Sequence, residues 1–99
     1  MDFNTLLVKF LEGITNTKER ADLIATFGLI KSLYESGRLD DNGVIQALNE
    51  LCLDALMSKN ITKDIDELKP EAEEWAKRFY RSLRISAVRD RYLSLTGVR

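Results

Sequence analysis

The chain has 99 residues, of which 44% are hydrophobic and 31% charged, and its formal net charge is −1 at pH 7. This length indicates one domain, residues 1–99, and this balance of apolar and charged residues is typical of a folded protein. The single cysteine excludes an intrachain disulfide and favours a cytoplasmic location. Because there is no histidine, Ser-His and Cys-His catalytic pairs and Cys/His zinc sites are excluded. We therefore expect neither an enzyme nor a protein that holds a metal or a cofactor.

Two amphipathic helices are predicted in the first third of the chain. Apolar residues at helical spacing predict a helix over about 2–13, which Gly13 weakens at its end. Asn16, followed three residues later by Glu19, resembles a capping box and predicts the start of a second helix. That helix covers about 17–36 and ends at Gly37, which can adopt a left-handed conformation without strain.

The stretch "SGRLDDNG" predicts a turn before a third helix at about 41–58, with Asp40 or Asp41 as its N-cap. The segment 38–49 loosely resembles an EF-hand calcium loop, because Gly43 matches the obligatory glycine. However, Arg38 and Asn49 stand where two of the strongest ligands belong. The segment therefore predicts an N-capping turn and not a calcium site.

The last third of the chain predicts a short connecting helix at about 62–68 and a long helix at about 70–95. Pro70 separates them, because it disfavours helical geometry at Lys69 but suits the first turn of a new helix. No segment has the alternating pattern of a strand, and no apolar run approaches the roughly 20 residues that cross a bilayer. The sequence thus predicts an all-α bundle of four long helices and one short helix, without a membrane span.

Charge is distributed unevenly along the chain. Residues 76–99 hold seven basic side chains and one acidic one, a net charge of +6, whereas residues 1–75 carry a net charge of −7. Six of these basic residues lie on the last predicted helix, and we refer to them as the basic set: Lys77, Arg78, Arg81, Arg84, Arg89 and Arg91. Arginine suits the fork geometry of phosphates and carboxylates. A cluster of this kind is typical of a surface that contacts nucleic acid.

The same helix carries a second apolar pattern, which we name the C-terminal stripe: Ile85, Val88, Tyr92 and Leu95. At about 100° per residue, these four positions lie roughly opposite Phe79 and Leu83. Either the helix bends and returns the stripe to the core, or it is one rod with two apolar faces. A rod would bury its second face against another chain, as a heptad seam does.

Two functions therefore remain open. The first is a non-enzymatic interaction module, in which the C-terminal stripe mediates dimerisation or docking on a larger protein assembly. The alternative is a small nucleic-acid-binding accessory protein, in which the basic set contacts phosphates. The negative net charge of the whole chain favours the first, because nucleic-acid-binding domains are usually basic.

Overall fold

The computed structural model describes residues 1–96, with side chains described as far as residue 94. Over that range the chain forms four helices: α1 (Phe3–Phe10), α2 (Thr17–Glu35), α3 (Asp41–Lys59) and α4 (Ile65–Thr96). The same residues contain no strand, which confirms the all-α prediction. The α3 helix packs along α4, and α2 and α1 pack on α3 and α4 respectively.

An aromatic cluster at the centre of the core joins three helices. Phe3 and Phe10 of α1 both contact Phe27 of α2 and Phe79 of α4, and these contacting rings have centroids 5.3–6.4 Å apart. Phe27 and Phe79 also contact each other at 4.8 Å. The α3 helix contributes the aliphatic side of the core, with buried Val44, Leu48, Cys52, Ala55 and Leu56. An isolated helix of eight residues is marginal in water. The short α1 is therefore stabilised by burial of its own apolar side chains in this core.

The predicted helix boundaries of α2 and α3 are confirmed by their caps. The Asn16 side chain accepts a hydrogen bond from the Glu19 amide at 2.9 Å, and the Asp40 carboxylate accepts one from the Gly43 amide at 2.7 Å. Gly37, with φ of +78°, closes α2 in a left-handed conformation. Each of these caps depends on residues a few positions apart in the chain, so a helix boundary of this kind can be predicted from the sequence.

The first helix ends earlier than predicted. It stops at Phe10 instead of reaching residue 13, and Gly13 adopts φ of +91°. The exposed end of α1 is completed from a distant part of the chain, since the Lys59 ammonium at the end of α3 donates a hydrogen bond to the Phe10 carbonyl. This contact spans 49 positions, and no local signal predicts it.

The prediction of separate helices at 62–68 and 70–95 is wrong, because α4 runs without interruption from Ile65 to Thr96. Pro70 lies inside α4, near its N-terminus. Leu68 and Ala72, on either side of the proline, are both almost completely buried. A continuous helix keeps these two residues on one face, so tertiary packing outweighs the hydrogen bond that proline cannot donate.

Candidate docking surface on the C-terminal helix

The C-terminal part of α4 extends beyond the core. With 32 residues, the helix is about 48 Å long at 1.5 Å per residue, and the longest dimension of the molecule is 52 Å. Leu83, which is 2% exposed, is the last buried residue along the described part of α4. The side of the helix that faces the core continues as Ser86, Asp90 and Leu93, and none of these three side chains is buried.

The C-terminal stripe lies on the opposite side of this extension. Ile85, Val88 and Tyr92 are 64%, 41% and 65% exposed. Because α4 is unbroken through this region, no bend returns these residues to the core. The side chain of Leu95, the fourth predicted member, lies outside the described part of the structure.

All six members of the basic set are exposed, but they differ in their surroundings. Arg78 pairs with Glu74, one helical turn earlier, with 4.0 Å between the Nε and carboxylate oxygen atoms. The Arg78 guanidinium also lies over the Trp75 ring, 5.1 Å from its centroid. Trp75 itself contacts Phe10 at 4.9 Å and is half-buried, so it packs on the edge of the core.

Arg84 approaches the turn between α2 and α3. The nearby Tyr34 side chain is the main cause that raises the pKa of the Arg84 guanidinium, and the negative charge of Asp41 acts in the same direction. The Tyr34 hydroxyl donates to an Asp41 carboxylate oxygen at 2.8 Å. The Tyr34 and Tyr80 rings contact each other at 6.5 Å. Arg84 itself is exposed and lies close to Tyr34 and Asp41.

A groove between α1 and α4 continues the C-terminal stripe towards the core, and we name it the α1–α4 groove. Its cavity volume is about 290 Å³. Ile85 belongs to both the stripe and the groove, so the two form one continuous surface. Apolar and basic side chains line the groove, together with Ser82: Met1, Leu6 and Ile85, and Lys9, Arg78 and Arg81.

Sequence reasoning identified the α4 side of this surface and missed the α1 side. The contribution of Met1, Leu6 and Lys9 depends on the packing of α1 against α4, which are more than 50 residues apart in the chain. The signal that could have indicated it is Lys9, a cation between the buried Leu7 and Phe10. A lysine within an apolar stripe shows that one edge of that stripe reaches solvent.

Other kinds of site find little support in the described residues. No group of three or more His, Cys, Asp or Glu side chains in residues 1–94 is arranged to hold a metal ion. The one thiol, Cys52, is buried in the core. None of the four helices, as far as they are described, combines the length and the apolar character that crossing a membrane requires.

Comparison of the chain with models of protein families, with curated proteins and with solved structures found no match.

Proposed function

We propose that this chain is a non-enzymatic helical interaction module that self-associates or docks on a larger protein assembly through the C-terminal part of α4. The observation that carries the proposal is the position of Ile85, Val88 and Tyr92. They lie beyond the last core residue of α4 and face away from the core. An apolar stripe on a helix that extends past its own core is typical of a protein–protein contact.

The size of the stripe indicates how strong such a contact can be. Complete burial of a large apolar side chain contributes about 1.5–3 kcal/mol, and these three side chains are already partly covered. Association costs on the order of 4–15 kcal/mol in lost freedom. The stripe alone therefore supports a weak contact, and a tighter complex has to use the α1–α4 groove or the arginines as well.

Recovery of partners from the cells that produce the protein tests this proposal. Val88→Glu places a charge in the middle of the C-terminal stripe, and Leu29→Glu is the matched control, because Leu29 is 57% exposed on α2. We expect the Val88→Glu variant to lose the oligomer or the bound protein that both the unchanged chain and the Leu29→Glu variant retain. Equal recovery with both variants, or a chain that stays monomeric and retains no protein, would contradict the proposal.

A nucleic-acid-binding accessory protein is the second candidate. Its support is the net basic charge of residues 76–99 and the exposure of the basic set. It ranks second because the whole chain has a negative net charge and because Arg78 pairs with Glu74 within α4. Fluorescence anisotropy with labelled DNA and RNA at low and at roughly physiological salt tests it. Binding that weakens steeply with salt and is lost on substitution of both Arg81→Glu and Arg84→Glu would support it, whereas unchanged affinity in that double variant would exclude it.

A further inference from the structure

We propose that the C-terminal stripe and the α1–α4 groove bind an acidic amphipathic helix of a different protein, and not a second copy of this chain. This inference rests on the proposed docking function and names the occupant of the same surface. Three features carry it: the charges beside the stripe, the charges in the groove, and the contrast with the other grooves of the molecule.

Arginines flank the C-terminal stripe on both sides. With Ile85 and Val88 as the a and d positions of a heptad, Arg84 and Arg91 occupy g positions and Arg89 an e position. The one acidic residue of this segment, Asp90, lies on the core-facing side of the helix, away from the stripe. A helix that covers the stripe therefore meets positive charge along both of its edges.

This arrangement opposes pairing of the stripe with itself. In a parallel pair, Arg84 of one copy would face Arg89 of the other, because g positions face the e positions of the next heptad. In an antiparallel pair, g positions face g positions and e positions face e positions, so that arginine again faces arginine. Like charges across an interface suppress association, whereas glutamates at the same positions of a partner would form pairs with these arginines.

The α1–α4 groove has the same combination of apolar and positive character. Lys9, Arg78 and Arg81 line it, and no acidic side chain of the described residues belongs to its lining. The groove between α3 and α4, with a volume of about 380 Å³, instead contains Glu73 together with Lys77. The cavity beside it contains Glu50 and Glu73 together with Lys69. The cavity beside Val88, which Arg84 and Arg91 line, also contains basic and, among the described residues, no acidic side chains. Among these cavities, the two that adjoin the stripe are thus the ones with an excess of positive charge.

An acidic helix fits this surface better than a nucleic acid does. The apolar residues form its centre and the arginines its edges, and this is the arrangement that an amphipathic helix with acidic flanks complements. A phosphate backbone would use the cations and leave Ile85 and Val88 exposed to water.

A charge-reversed copy of the same chain serves as the probe. A variant with Arg81→Glu, Arg89→Glu and Arg91→Glu keeps the apolar stripe and gives it acidic flanks. The matched control carries Lys18→Glu, Arg38→Glu and Lys63→Glu, which change the net charge equally at exposed positions outside the surface. Circular dichroism first checks that both variants are folded, and sedimentation velocity then measures each alone and mixed with the unchanged chain, at low and high salt.

We expect the unchanged chain to pair with the charge-reversed copy at least tenfold more tightly than with itself or with the control, and this preference to fall as salt increases. Self-association of the unchanged chain as tight as the mixed pair would overturn the inference and leave the docking function intact. Failure of the mixed pair to form would also overturn it, and so would salt-dependent binding of labelled nucleic acid in place of pairing. The Val88→Glu recovery experiment decides the docking function separately.

Discussion

Cys52 links the chemistry of one residue to the stability of the whole chain. Its thiol is buried on the core-facing side of α3, and burial raises the pKa of the thiol from 9.0 to about 12. The thiolate is the reactive form of cysteine, so the buried thiol is expected to be inert towards alkylation while the chain is folded. The absence of histidine leaves no imidazole to activate it.

This shift predicts how stability depends on pH in the alkaline range. Because the pKa of Cys52 is higher in the folded chain than in the unfolded one, its contribution is fully present below about pH 9 and is lost as the pH rises towards about 12. We expect the free energy of unfolding to fall there by up to about 1.4 kcal/mol per pH unit from this residue. Urea unfolding of the unchanged chain and of Cys52→Ala between pH 8 and 10.5 measures this contribution, since all other groups titrate equally in the two proteins. Parallel pH profiles would contradict the assignment.

The Phe27 ring is the main connection between α2 and the core. Only Phe27 and Ile30 are buried among the 19 residues of α2, and the Phe27 ring contacts Phe3, Phe10 and Phe79. We expect Phe27→Ala to cost about 3–5 kcal/mol, as removal of a buried aromatic ring does. Denaturant unfolding is the measurement, and Val8→Ala, at an exposed position of α1, is the control with a cost below about 1 kcal/mol. A similar cost for both variants would show that the aromatic cluster is not the centre of the core.

At the scale of the element, α4 combines two functions along one helix. Its residues 65–83 form the core with the other three helices, and its residues 84–96 extend beyond them. The other three described helices are shorter, with 8, 19 and 19 residues. Residues 84–96 therefore keep their helical form through their continuity with the rest of α4, without burial in the core.

This division predicts a sharp change in mutational sensitivity within α4. We expect Leu83→Ala to cost about 2–5 kcal/mol, because it leaves a cavity in the core. Val88→Ala, only five residues later, should change the free energy of unfolding by less than about 0.5 kcal/mol, because Val88 is exposed. Chemical denaturation of both variants checks this. A large loss of stability in Val88→Ala would mean that the stripe belongs to the core of the chain.

The boundaries of the helices divide into those that the sequence determines locally and those that it does not. The caps at Asn16, Gly37 and Asp40 depend on a few adjacent residues. The first two were predicted, and the third was predicted as either Asp40 or Asp41. The end of α1 accepts a hydrogen bond from Lys59, and Leu68 is buried beside Pro70 where α4 continues. Contacts of this kind are tertiary, so propensity rules cannot anticipate them.

The residues of the candidate docking surface also include some that the sequence indicated and some that only the folded structure revealed. Helical spacing was sufficient to place Ile85, Val88 and Tyr92 on the side of α4 opposite the core, because that relation lies within one helix. The approach of Arg84 to Tyr34 brings together residues 50 positions apart. The α1 side of the groove required the packed structure as well. Sequence therefore indicated which residues of α4 are candidates, and the fold distinguished those with intramolecular partners.

Most basic residues near the C-terminus of the chain are gathered on one surface of the folded molecule. The net charge of −1 conceals a positive surface formed by the α4 extension and the adjacent groove. Attraction between this surface and an acidic partner would increase the rate of encounter at low salt, while the apolar stripe would determine how long the complex lasts. A small helical body with one extended apolar edge is well suited to present a docking helix.

If another molecule covers the C-terminal stripe in the cell, as we propose, the accessibility of a thiol placed in the stripe reports it. Val88→Cys introduces a thiol within the stripe, and Leu29→Cys introduces one at a comparably exposed position on α2. In the purified chain we expect both thiols to react with an alkylating reagent at similar rates, while the buried Cys52 stays unmodified as an internal check of folding. In the cells that produce the protein, the thiol at position 88 should react several-fold more slowly than the one at position 29. Equal rates at the two positions in the cell would show that the stripe is uncovered and would contradict the account.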